Sequence, residues 1–224
     1  MTVPEALPAV APAACALIVI DMQRDFLDPR GYIGQSGVDV APLRAPIPNV
    51  RRLLEAARAS GIRVIHTREG HRPDLADLNP AKARRAAGVG AAIGSHGPLG
   101  RLLVRGELGH GIIDELAPLP PEVVIDKPGF GAFYATDLEL VLRAWNVTAL
   151  TLAGVTTDVC VHSTLREAVD RGFECQTVGD ACAAGDPAIH EVMLKCISGE
   201  GGILGRVVTT EEVVTSWRAA AKAA

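Results

Sequence analysis

Aromatic side chains are scarce in this chain of 224 residues, with only four Phe, two Tyr and two Trp. A core must therefore be built from aliphatic residues, and the Ala-rich, apolar composition suits helices packed on a sheet rather than a fibrous or disordered polymer. Charge of one sign is also lacking: the net charge is -4 and is spread along the chain, so there is no footprint for nucleic acid or an acidic membrane surface. A small diffusible partner fits better. No apolar run approaches a membrane span, and residues 1–15 lack the basic start and continuous apolar stretch of a secretion signal, so the expected location is the cytoplasm. The five cysteines, Cys15, Cys160, Cys175, Cys182 and Cys196, are odd in number and show no CxxC spacing. That argues against a disulfide framework and a structural zinc site.

What is present is a recurrence of short apolar, β-branched runs at βα spacing: 16–21, 62–67, 123–127, 149–155, 175–178 and 203–208. Such runs read as buried parallel strands. Between them lie helical patterns, Val50, Leu53, Leu54 and Ala57 closed by Gly61, and Val161, Leu165, Ala168 and Val169 closed by Gly172, with glycine where a left-handed cap is wanted. The pattern predicts one α/β domain over 1–224, a doubly wound, Rossmann-like sheet of about six parallel strands with helices on both faces. Residues 1–15 form an extension. The segment 69–109, rich in Gly, Pro, His and Arg, is too long for a simple connection and reads as an active-site cover with a short helix around 82–87. No internal repeat or low-complexity linker is visible.

In an open α/β sheet, ligands bind outside the carboxyl ends of the strands. Asp21 closes ALIVID, Lys127 closes VVIDK, and the turn GVTTDVC ending at Cys160 follows LTLA, so all three are expected on that edge. Cys160 begins a helical pattern. Its sulfur would lie near unpaired backbone amides and the positive end of the helix dipole, which lowers a thiol pKa. His162 is two residues further on, and residues so spaced on a helix point in different directions. Asp21 is then the better carrier of the thiol proton, and Lys127 supplies positive charge. The alternative for Cys160 is an inert buried thiol.

Three segments, IVIDMQRDF at 18–26, DKPGFGAF at 126–133 and GVTTDVCVHSTLREAVDRGF at 154–173, resemble the signature segments of isochorismatase-like cysteine hydrolases. The resemblance runs in order over about 16–208. It implies Cys160 as nucleophile, Asp21 as acid and base, and Lys127 as electrostatic stabiliser. It also implies a cis peptide between Val155 and Thr156, an oxyanion hole formed by the backbone amides of Thr156 and Cys160, no cofactor, and a homo-oligomer, dimer or tetramer.

Within that superfamily, HTREGHRPDLADL at 66–78 and ATDLELVL at 135–142 are most similar to biuret hydrolase and guanylurea hydrolase-type enzymes, with ureidoacrylate and N-carbamoyl amidohydrolases more distant. Phe26 would then line the substrate pocket. Where biuret hydrolase has a glutamine before a Gly-Gly pair, this chain has Glu200, a carboxylate that prefers a cation. The expected reaction is thus release of ammonia from guanylurea, with Glu200 at its amidino end, or from biuret. Hydrolysis of a ureidoacrylate or N-carbamoyl amide is the alternative, as is a binding domain without catalysis. Isochorismate hydrolysis ranks lower, because Glu200 would repel that anion.

His66, Arg68, His71 and Arg72 stand at a strand end and the start of the cover, where they either contact substrate or form ion pairs. Arg68 and Val155 join the substrate-binding set. No DxH cluster of the kind that binds metal in nicotinamidases is present, so no metal is expected. Cys15, Cys175, Cys182 and Cys196 are assigned to packing, and Trp145 and Trp217 to packing or subunit contact.

Overall fold

The computed structural model describes residues 12–223. Of the extension expected at 1–15, residues 1–11 lie outside the described residues, 12–14 form a single 3₁₀ turn, and Cys15 already opens the first strand. The strands of the main sheet are β1 (Cys15–Ile20), β2 (Arg63–Glu69), β3 (Val123–Lys127), β4 (Ala149–Val155), β5 (Glu174–Ala183) and β6 (Arg206–Val208). All adjacent pairs are parallel, in the order β3-β2-β1-β4-β5-β6. The order reverses between β1 and β4, so a crevice opens at their carboxyl ends.

The principal helices are α1 (Ile47–Ala59), α2 (Pro80–Gly88), α3 (Leu138–Ala144), α4 (His162–Asp170), α5 (Pro187–Ser198) and α6 (Thr210–Ala223). Two cores follow from strand alternation in β1. Leu17 and Val19 pack with Val50, Leu53 and Leu54 of α1 and Val213 and Trp217 of α6. Ala16, Ile18 and Ile20 pack on the other face with Leu138 and Leu142 of α3 and Leu165 and Ala168 of α4. The glycines read as caps have positive φ, 68° at Gly61 and 80° at Gly172. No described helix is long and apolar enough to cross a membrane.

Several strand ends differ from the sequence expectation. β1 is shifted back by one residue, β6 begins only at Arg206 rather than 203, β5 runs on to Ala183, and β2 continues two residues past Thr67 to Glu69. The extension of β2 pairs Glu69 with Lys127 across the ladder, which carries Glu69 out of the expected cover and onto the sheet edge. The cover helix is α2, longer than its expected core, with the Asn79 side chain accepting from Lys82 N at 2.8 Å as an N-cap.

Gly154 shows why one position tolerates no side chain. Its φ is 117°, and a Cβ there would lie 2.1 Å from the carbonyl oxygen of Ile20. β1 and β4 thus approach closely just below the crevice.

Candidate active site

Asp21 follows the last residue of β1 and holds φ at 51°, a left-handed conformation that Asp tolerates better than most side chains. Its amide donates to Thr67 O at 3.2 Å, and the Thr67 hydroxyl donates to Asp21 Oδ1 at 2.6 Å. Oδ2 receives the ammonium of Lys127 at 2.7 Å. Both side chains are fully buried.

Lys127, at the end of β3, also donates to the carbonyls of Gly129 and Phe130 at 3.0 and 2.9 Å. The segment after the strand therefore wraps around the ammonium. Its pKa is raised: burial opposes the charge, but Asp21, Cys160 and Glu69 outweigh that cost.

Cys160 lies in a wide π-helical turn, Thr157–Val161, that precedes α4, with Val161 N donating to Thr156 O at 3.1 Å. The peptide between Val155 and Thr156 is cis. The thiol donates to Glu69 Oε2 at 3.4 Å, and one ligand atom from each of Asp21, Glu69 and Cys160 falls within 4.8 Å of the others. The ammonium of Lys127, 2.7 Å from Asp21 and 3.7 Å from Glu69, supplies the positive charge for that cluster.

The expectation of a depressed thiol pKa is corrected here. Burial drives the Cys160 pKa well up, Asp21 and Glu69 push it the same way, and Lys127 only partly opposes them. The contact with Glu69 Oε2 places the sulfur as a donor. The proximity of a helix start is outweighed because the group is desolvated and faces two carboxylates.

Glu69 is the residue that sequence reasoning missed. It is 3% exposed, and its Oε1 pairs with Lys82 of α2 at 2.6 Å. Burial works against its charge, yet Lys127 and Lys82 together hold its pKa below the ordinary value. Asp21 is displaced the other way, raised first by burial and also by Glu69, against the pull of Lys127. Gln23, from the first motif, clamps the Glu69 backbone: its Oε1 accepts from Glu69 N at 2.7 Å and its Nε2 donates to Glu69 O at 3.0 Å. A signal existed, since a buried glutamine two residues after Asp21 needs backbone partners.

A cavity of about 280 Å³ opens onto Cys160 and Thr156. Phe26, Tyr32, Val89 and Ile93 give it apolar walls, and Glu69, Lys82 and Arg85 give it charge. Lys82 is spent on Glu69 and on the Pro128 carbonyl at 2.7 Å, with its ammonium 4.9 Å from the Phe130 ring centroid. α2 thus forms one wall of the site.

Several expected contacts fall elsewhere. Glu200 is exposed, at φ 50° in the turn after α5, and does not line the cavity. Arg68 points away and pairs with Asp126 at 2.7 Å, because its β2 side chain alternates to the face opposite its neighbours Thr67 and Glu69. Val155 is buried at the end of β4 beside the site but is not among the cavity-lining residues. His66 pairs with Glu122 at 3.0 Å, His71 with Asp77 at 3.1 Å, and Arg72 with Asp74 at 3.2 Å, so these are ion pairs and hydrogen bonds of the fold. His162 accepts from Arg166 at 3.2 Å. Cys175 and Cys182 are buried, and burial pushes both thiols up to about 12. Cys196, expected in packing, is exposed on α5. Trp217 is buried, and Trp145 is stacked under the Arg63 guanidinium at 4.6 Å.

Residues 15–212 match the model of the isochorismatase domain family. Ureidoacrylate amidohydrolase RutB of Methylorubrum extorquens is 32% identical over 212 residues, covering 91% of this chain and 84% of that protein. The protein of the same name from Serratia proteamaculans is 34% identical over 175 residues, covering 73% and 67%. A cysteine hydrolase from Pseudomonas syringae pv. phaseolicola superposes with a TM-score of 0.84 at 29% identity, over 98% of this chain and all of that one. N-carbamoylsarcosine amidase of Thermoplasma acidophilum gives 0.66 at 26% identity, over 88% and 96%. The relatives found thus include ureidoacrylate amidohydrolases, where the sequence motifs suggested biuret and guanylurea hydrolases.

Proposed function

The chain belongs to the isochorismatase family, and on that premise we propose that it is a cysteine-dependent amidohydrolase cleaving a C–N bond of a small linear ureide of the ureidoacrylate or N-carbamoyl kind. The observation that carries this reading is the thiol of Cys160 at the floor of a small cavity, backed by buried Asp21, Glu69 and Lys127. The relatives named for ureidoacrylate support the substrate class.

The roles follow from charge and geometry. Because Glu69 is held as an anion by Lys82 and Lys127 while the Asp21 pKa is raised, Asp21 is the better group to exchange a proton. It takes the thiol proton as sulfur adds to the ureide carbonyl. The ammonium of Lys127 offsets the charge that develops, and the backbone amides of Thr156 and Cys160 receive the oxyanion. Asp21 then returns the proton to the departing nitrogen, the C–N bond breaks, and a thioester remains on Cys160. Water, giving a proton to Asp21, adds to that thioester and expels the sulfur, which takes that proton back from Asp21 and restores the thiol. When the carbamoyl group is the acyl part, the product is carbamate, which breaks down to ammonia and carbon dioxide.

Glu69 accepts an N–H of the ureide. A carboxylate at the cavity floor suits a substrate that presents several N–H donors beside its carbonyl. Guanylurea loses its special claim, since the carboxylate thought to select it, Glu200, lies outside the cavity.

An ammonia-release screen over 3-ureidoacrylate, N-carbamoyl amino acids, biuret and guanylurea tests the reading, with Cys160→Ala as control. Turnover of the carboxylated ureides, abolished in Cys160→Ala, is expected. No turnover of any ureide by the native chain would overturn the function.

A further inference from the structure

The cover helix carries a cation that pairs with none of the described residues. Lys82 and Arg85 are three residues apart on α2, a spacing that places side chains on one face of a helix, and both line the cavity. Their fates differ. Lys82 is buried and bound to Glu69 and the Pro128 carbonyl, whereas Arg85 makes no ion pair or hydrogen bond with any described residue.

We propose that Arg85 is the specificity-determining residue for a substrate carboxylate, so that the site takes a ureide with an anionic far end; this rests on the ureide amidohydrolase reading above. The walls between the thiol and the rim are apolar, through Phe26, Tyr32, Val89 and Ile93, so a substrate carboxylate has few other partners there. A guanidinium is the side chain best matched to a carboxylate, since it offers two parallel N–H donors. Oε2 of Glu69 stands beside the thiol as an acceptor, which suits the N–H-rich carbamoyl end rather than a carboxylate. Glu69 at the floor and Arg85 on the rim helix therefore orient one substrate between them, with the carbonyl at Cys160 and the anion toward α2.

Arg84, on the same helix, is exposed as well but does not line the cavity, so it is position that singles out Arg85. An exposed arginine costs little when free in solvent, and it gains a hydrogen-bonded partner only when the ligand arrives.

The test compares 3-ureidoacrylate with its primary carboxamide, two ureides that differ only in the charge at the far end. Native protein, Arg85→Met and Arg85→Lys are assayed on both for kcat and KM. Arg85→Met is expected to lower kcat/KM for the carboxylate by roughly 30-fold, the scale of a lost charge-assisted hydrogen bond, mainly through KM. The carboxamide should change less than about twofold. Arg85→Lys should recover part of the loss, since it restores charge without the planar fork. An equal effect on both compounds, or none on either, would show that Arg85 does not read the carboxylate while leaving the amidohydrolase assignment standing. If the native chain hydrolyses neither compound, this inference falls, and the wider ureide screen decides whether the amidohydrolase assignment falls with it.

Discussion

The sulfur of Cys160 donates to Oε2 of Glu69 across 3.4 Å, a contact that joins the turn after β4 to the end of β2. Glu69 is thus a second carboxylate at the thiol, beside Asp21. It raises the pKa of both Asp21 and Cys160 by its charge, so it sets the conditions under which the proton moves between them.

Replacing Glu69 by Gln should therefore move two pH dependences the same way. The acid limb of kcat/KM should shift to lower pH, because Asp21 loses a like-charged neighbour. Alkylation of Cys160 by iodoacetamide should become faster at a fixed pH near 8, because the thiol pKa falls. KM for ureides should rise by roughly tenfold, the scale of one lost charged hydrogen bond. A pH profile superimposable on that of the native enzyme would remove Glu69 from the proton chemistry.

The bridge from Lys82 to Glu69 anchors the cover to the sheet. Lys82→Met keeps the apolar stem under Phe130 but leaves a buried carboxylate short of its nearest cation, at a cost of about 3 kcal/mol. Urea unfolding should show that loss in Lys82→Met, and a smaller further loss when Glu69→Gln is added. Additive penalties in the double variant would mean that the two side chains do not act as a pair.

Gly154→Ala should be among the most damaging small changes in the chain. The added methyl would meet the Ile20 carbonyl oxygen at 2.1 Å, and φ of 117° suits no other residue. Loss of about 3 kcal/mol or more is expected, read as a fall in Tm or failure to accumulate as soluble protein. A Tm within a few degrees of native would show that β1 and β4 can separate here without penalty.

Stability should also depend on pH through His110. Burial, aided by Arg68 and Arg105 and opposed by Asp126, lowers its pKa to about 4 from an ordinary 6.5. Between those values the unfolded chain binds a proton that the folded chain refuses, so unfolding becomes easier as pH drops from about 6.5 toward 4. Asp25 acts in the opposite sense. Burial raises it to about 6 from 3.8, so its contribution grows as pH falls through that range. His110→Gln, measured by urea unfolding at several pH values, should flatten the acid-side loss. An unchanged slope would place the loss in other groups.

The alternating strands and helices, the two glycine caps and the positions of Asp21, Lys127 and Cys160 at strand ends were legible in the sequence because each is a local pattern. Apolar periodicity sets which face of a strand is buried, and a strand end marks the edge where ligands bind. Glu69 was hidden by an error of two residues at the end of β2. The run IHTRE does not look apolar, and only its pairing with β3 shows that it remains in the ladder. Glu200 failed for a different reason: similarity to a motif assigned it a place in the pocket, and the path of the turn after α5 takes its side chain to solvent.

By itself the sequence determined the α/β class, the family resemblance and three of the four residues at the centre of the site. Those are properties of short segments and their order. Only the tertiary structure decided how the charges share that centre. Ion pairing and desolvation depend on distances between β1, β2, β3, the turn at Cys160 and α2, segments far apart along the chain, and those distances make Glu69 an acceptor, Cys160 its donor and Arg85 a cation at the cavity that pairs with none of the described residues.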